Sequence, residues 1–178
     1  TGVYGDTQGA RVTEESPLLG TSQRAQARIA AEHAWLSVGK PVHVFRLAGI
    51  YGPERNMLER LRLKRVQNLE LSERLVNRIH AEDIARAVMA SLEKTYTKPD
   101  TRENIIYNLA DDVPAPTKDV LTYAAKLLDQ PTPPPAEKNS SHLSDGSRIV
   151  DNKKIKNDLN LSLKYPSFRE GLDALAKA

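Results

Sequence analysis

Residues Val42–Asn56 read VHVFRLAGIYGPERN, and this stretch decides the fold class. Val42, Val44 and Phe45 form a short apolar run, introduced by Gly39 and Pro41. The run breaks into a loop at Gly49, Gly52 and Pro53. A buried strand that ends in a glycine-containing loop is where open α/β sheets hold their ligands, beyond the carboxyl ends of the strands.

On the N-terminal side of this stretch, residues 1–20 read as loop, with Gly, Thr and Asp throughout and Pro17 and Gly20 as breakers. Thr21 or Ser22 can cap a helix running to about Val38. Ala25, Ile29 and Leu36 give it an apolar face, with Trp35 beside it. On the C-terminal side, the basic run Arg55–Arg65 is compatible with one amphipathic helix. A clearer helix spans Glu82–Leu92, with Ile84, Val88 and Leu92 on one face. Ile105–Leu109 is a strand, Asp111–Pro116 a loop, and Thr117 is placed to cap a helix carrying Val120, Ala124, Leu127 and Leu128. Residues 129–147 are rich in Pro and Ser and read as a linker or surface loop. A short helix is expected near Asp151–Leu159, and Ser167 and Glu170 have capping-box spacing ahead of a last helix. Strands alternating with helices predict an α/β fold with a mainly parallel sheet. Two recognisable strands are too few for such a sheet. Either further strands are hidden in irregular stretches, or their partners lie in a missing N-terminal half.

A chain of 178 residues is one domain, or one and a small lobe. Hydrophobic residues make up 39% and the net charge is +3, too little for a nucleic-acid surface without a concentrated patch. The absence of cysteine excludes disulfides, thiolate chemistry and cysteine metal sites. His33, His43 and His142 have no ligand-like spacing, so no metal site is expected. No apolar run approaches the ~20 residues a membrane span needs. The expectation is a soluble protein, cytoplasmic or in an organellar matrix or stroma.

TGVYGD at 1–6 and RLAGIYGP at 46–53 together resemble two landmarks of the extended short-chain dehydrogenase/reductases, the NAD-dependent epimerase/dehydratase family. The resemblance continues through NRIHAEDIARAV at 77–88 and IIYNLADD at 105–112. It implies a Rossmann-like fold, here its C-terminal portion with a small C-terminal substrate lobe. Residues 1–128 would be the Rossmann-like part with interleaved lobe segments, and 148–178 a C-terminal helical segment. It also implies NAD or NADP as cofactor and a small polar molecule or nucleotide sugar as substrate.

A dinucleotide fold needs a strand, a glycine-rich turn and a helix whose N-terminus meets the pyrophosphate. Only Gly2, Gly5 and Gly9 cluster here, with no strand before them. In the family the phosphate cradle lies upstream of the TGVYG-like segment. The chain is therefore expected to be the later part of a longer protein, and to bind a dinucleotide weakly when alone. The missing N-terminal half, or a protein partner, would complete it.

Family members usually carry Tyr-x-x-x-Lys on the helix after the first loop. Aligning Glu32 with the acidic residue that often follows the family's lysine puts Arg28 at the lysine place and Arg24 at the tyrosine place. Arginine stays protonated, so Arg24 cannot replace tyrosine as an acid or base. Arg28 can hold a ribose, a phosphate or a carboxylate. The structural alternative is a surface pair of Arg28 with Glu32 at helical spacing. Such a pattern resembles the atypical members, which keep the fold and lack the usual pair. Tyr4 is then a substitute acid, or a ring packed under its loop. By resemblance, the backbone of Leu47, Ala48 and Gly49 faces the nicotinamide. His80 and Asp83 are read as mainly structural. The Arg55–Arg65 run either meets an anionic substrate or forms a solvated helix face. Two functions follow: an NAD(P)-binding oxidoreductase or epimerase-like protein of the atypical type, or a non-catalytic binding or structural subunit.

Overall fold

The computed structural model describes residues 1–66, 74–97, 103–134 and 146–177. After a short 3-10 turn at Gly2–Tyr4 come β1 (Arg11–Val12), α1 (Gln23–Leu36), β2 (His43–Leu47), β3 (Gly49–Tyr51) and α2 (Met57–Arg62). There follow β4 (Leu75–Val76), β5 (Arg78–His80), α3 (Ala81–Thr97), β6 (Ile105–Leu109), β7 (Ala115–Pro116) and α4 (Thr117–Leu127). The chain closes with β8 (Ile149–Val150), α5 (Lys153–Asp158) and α6 (Phe168–Ala176).

The expected pair of strands is the centre of the fold. β2 and β6 run parallel in register from His43 beside Ile105 to Leu47 beside Leu109. Asn104 fixes the start of this pair. Its Oδ1 accepts from the Val42 N–H at 3.0 Å and its Nδ2 donates to the Leu36 carbonyl at 2.9 Å, clasping the end of α1 to the sheet. At Ala48 the chain changes partner. The Ala48 N–H still reaches Leu109, while the next N–H, of Gly49, reaches the Asn77 carbonyl at 3.1 Å. β3 then pairs parallel with β5, Gly49 beside Arg78 and Tyr51 beside His80. In open α/β sheets ligands sit beyond the carboxyl ends of the strands, and the end of β2 is where this change of partner falls.

The other strands are missing from the sequence reading and are short: β3 stands where a loop was expected to begin at Gly49, and it and β5 have three residues each. β1 and β8 pair parallel over two residues, and β4 and β7 pair antiparallel over two. The β1–β8 pairing brings the chain after residue 146 back onto the N-terminal loop. Residues 135–145 of the expected linker, and His142 with them, lie outside the described residues.

Two cores form. One packs Tyr4, Val12, Ile79, Tyr107, Leu109, Val150 and Ile155 around β2, β5 and β6. The other packs α2, α4 and α6 through Leu58, Leu121, Ala124, Phe168 and Leu172. Ser22 caps α1 by accepting the Ala25 N–H, and Asn56 caps α2 by accepting the Glu59 N–H. The Ser167–Glu170 capping box opens α6 as its spacing requires. Thr117 does not cap α4: Pro116 precedes the helix and Thr117 is its first residue. Proline's fixed φ and the extended backbone before a helix start serve that entry without a side-chain acceptor. Trp35 is also not core; it is 64% exposed near the end of α1.

Candidate functional site

The edge of β2 that β6 leaves unpaired, from His43 to Leu47, and the handover at Ala48 form the floor of a cleft of about 1040 Å³. Leu47, Ala48 and Gly49 lie along it, and Arg28 of α1, Arg55 and Arg148 are also on its lining. Arg24 is exposed on the same helix and is not among the residues lining the cleft. The guanidinium groups around the opening suit an anion, since each presents fixed donors in a plane.

Under the floor lies a buried polar network that the sequence did not disclose. Arg46 and Glu32 are 5% and 7% exposed at their side chains and form a bidentate pair, Nε to Oε2 at 3.1 Å and Nη2 to Oε1 at 2.5 Å. Arg46 Nη1 also donates to the Tyr4 hydroxyl at 2.8 Å and to the Glu14 carbonyl at 2.9 Å. Tyr4 donates to Asn108 Oδ1 at 2.6 Å, and the Asn108 N–H donates to Glu14 Oε1 at 2.7 Å. This corrects the pairing expected for Glu32. Its carboxylate faces inward to β2, not along the helix to Arg28. A bidentate partner in a dry setting outweighs an exposed neighbour one turn away. Arg46 was legible in one respect: a lone charge inside an apolar strand must find a buried partner. The Tyr4 hydroxyl is held in this network, and burial pushes its pKa up despite the opposing Arg46 charge. Burial likewise pushes the Glu14 carboxyl up.

No family model matches the chain. Protein YeeZ of Escherichia coli strain K12 is 31% identical over 170 residues, covering 93% of this chain and 56% of its own length. A conserved protein of unknown function from Silicibacter pomeroyi is 37% identical with a TM-score of 0.83, covering 99% of this chain and 63% of that one. A structure assigned to the NAD-dependent epimerase/dehydratases, from Methylobacillus flagellatus, has 24% identity and a TM-score of 0.79 over 99% of this chain and 61% of its own. A dTDP-glucose 4,6-dehydratase from Bacillus anthracis, solved with NAD, has 22% identity and a TM-score of 0.77, with coverage of 99% and 58%. The fold is that of the NAD-dependent epimerase/dehydratase family. The chain spans a little over half the length of the curated relative and about three fifths of these structures.

Gly5 and Gly49 each have a local structural cause. Gly5 adopts φ +68, and a Cβ there would lie 2.5 Å from the Leu19 carbonyl oxygen. Its glycine is demanded by loop packing. Gly49 has a similar local cause. A Cβ there would crowd the Asn77 carbonyl at 3.1 Å, at the step where β3 begins.

The remaining motif of the epimerase/dehydratase pattern, residues 77–88, builds structure beside the cleft. Asp83 is fully buried and accepts the Lys164 and Tyr165 N–H groups at 2.7 and 3.0 Å, tying the segment before α6 to α3. His80 accepts the Glu82 N–H and sits between the Tyr51 and Tyr165 rings, and burial lowers its pKa. Asn77 joins β5 to the returning chain, donating to the Arg148 carbonyl and accepting the Val150 N–H. Asp111, just past β6, is 3% exposed, and neither of its oxygens meets a donor in hydrogen-bond geometry. Burial, only partly opposed by the Arg78 charge, pushes its carboxyl up to about 8. Among the described residues no group of three or more His, Asp or Glu is arranged to hold a metal ion, and no helix is long and apolar enough to cross a membrane.

Proposed function

We propose that this chain forms the nicotinamide and substrate side of an NAD(P)-binding oxidoreductase or epimerase-like protein of the atypical short-chain type. The observation that carries the reading is the cleft at the β2–β3 handover, with Leu47–Gly49 as its floor and Arg28 at its side. The NAD-bound dehydratase of similar fold supports the class of ligand. A nicotinamide dinucleotide supplies a hydride donor or acceptor when bound. This chain's part is to seat the ring against the Leu47–Gly49 backbone and to hold an anionic group with Arg28. Arg28 takes the lysine's place as a charge that binds, and not as one that tunes a tyrosine, because Arg24 stands where that tyrosine would be. Tyr4 is the candidate acid. Its proton is donated to Asn108 Oδ1, and its use requires that hydrogen bond to break, while the donation from Arg46 to the hydroxyl oxygen favours the phenolate left behind.

The specific observation favouring the second reading, a non-catalytic binding or structural subunit, is that same engagement of Tyr4 in the buried network. Hydrogen exchange of the whole protein with and without NADH tests the first reading. The expected result is slowed exchange in the 45–51 segment and in α1 around Arg28. No change in either segment on saturation would leave the second reading as the better one.

A further inference from the structure

A second cleft of about 530 Å³ opens beside the first, between β3, α2 and α6. Gly49, Ile50, Arg55 and Val76 line both, so the two are neighbours. The second is built from two kinds of surface. Arg55, Arg60 and Arg65 stand exposed along its rim, and among the described residues none of them is in an ion pair with an acidic side chain. Glu59, one of its two glutamates, is already paired with Arg62 at 2.5 Å. Its wall is apolar: Ile50 and Leu63 are 39% and 54% exposed, and Phe168 of α6, also on the lining, is buried in the core. Exposed aliphatic side chains facing a concave space are the kind of wet apolar surface that a ligand covers.

The neutral polar side chains of this cleft are largely committed to holding the loop. Asn56 accepts the Glu59 N–H and donates to the Gly52 carbonyl at 2.9 Å. The Tyr51 hydroxyl is buried and donates to the Ser167 carbonyl at 3.3 Å. Thr117 is the remaining neutral hydroxyl on the lining. A sugar needs many neutral donors and acceptors, and an unmatched buried hydroxyl costs about 1–3 kcal/mol. An anion on an apolar body needs only arginines and an apolar wall.

We infer that the second cleft takes a small phosphate or carboxylate joined to an apolar, ring-sized body, in preference to a sugar phosphate. This rests on the first cleft being the cofactor side, and it names the substrate class the second would hold. The anion would sit against Arg55, Arg60 and Arg65, and the body against Ile50 and Leu63.

The test is calorimetric titration of the whole protein with phenyl phosphate, phenylacetate and glucose 1-phosphate, each without dinucleotide. Phenyl phosphate and phenylacetate separate the two anions, and glucose 1-phosphate replaces the apolar body by a polar one. The expected result is saturable binding of at least one aromatic anion, about tenfold or more tighter than glucose 1-phosphate. Arg60→Ala should weaken that binding about tenfold or more, the value of one hydrogen bond to a charged group. Leu63→Ser should weaken it severalfold, and both side chains are exposed, so the fold should persist. Equal or tighter binding of glucose 1-phosphate, no saturable binding of either aromatic anion, or unchanged affinity in both variants would overturn the inference. NADH binding without aromatic-anion binding sinks this inference alone. Aromatic-anion binding in a protein that never binds NADH or NADPH sinks the cofactor reading instead.

Discussion

Replacing Asp111 by Asn should stabilise the protein, and by more as the pH rises. The carboxyl keeps its proton up to about pH 8 when folded, against an ordinary value of 3.8. Below pH 3.8 both states are protonated and the residue costs nothing. Between 3.8 and 8 the unfolded chain sheds the proton and the folded one must retain it. Stability then falls by up to ~1.4 kcal/mol per pH unit. From pH 5 to pH 7 this amounts to a ceiling of ~3 kcal/mol, which water entry and local relaxation would reduce. Asparagine has nearly the same shape and no charge to desolvate. It also forfeits little, because neither Asp111 oxygen has a well-aligned donor. The assay is urea unfolding of Asp111→Asn and the parent protein at pH 5, 6 and 7. The expected result is an advantage for the variant that is already present at pH 5 and grows by about 1–3 kcal/mol between pH 5 and pH 7. A variant that is less stable by the same amount at all three values would refute the reasoning. It would mean that the carboxylate is ionised and well solvated or well paired in the folded state.

Three other substitutions probe the parts that hold the cleft. Arg46→Met leaves Glu32 buried without its partner and should cost ~3–5 kcal/mol by urea denaturation, whereas a cost under about 1 kcal/mol would contradict the buried network. Asp83→Ala removes the acceptor of two backbone N–H groups and should cost at least ~2 kcal/mol, with faster proteolysis of the segment before α6. Ser167→Ala should cost about 1 kcal/mol by removing half of the capping box, and a neutral result in thermal unfolding would remove that box as a stabilising element.

The elements with continuous pattern were legible in the sequence. β2, β6 and α3 each have enough apolar residues at one period to declare themselves, and Ser167 and Glu170 announced α6. The two-residue strands β1, β4, β7 and β8 had no such chance, because no period can be read from two residues. Their pairing comes from tertiary closure of the chain on itself. The cleft floor at Leu47–Gly49 was legible because a strand running into glycine is a local signal. The Arg46–Glu32 pair was not, since helical spacing suggested the nearer Arg28 and nothing local pointed across to β2. The orphaned carboxylate of Asp111 was hidden for a related reason. An Asp after a strand looks like an ordinary loop residue until the packing around it is known. Trp35, near the apolar face by spacing, is 64% exposed.

The central claim is that Arg28 and the Leu47–Gly49 floor hold the anionic, nicotinamide-side part of a dinucleotide. Fluorescence titration of NADH and NADPH into the whole protein, its Arg28→Ala variant and its Arg28→Lys variant tests it most directly. The account predicts affinity about 10- to 100-fold weaker in Arg28→Ala, equivalent to ~1.5–3 kcal/mol, with Arg28→Lys in between. Unchanged affinity in a folded Arg28→Ala protein would contradict it and leave Arg28 as an exposed arginine at the edge of a cleft that binds something else.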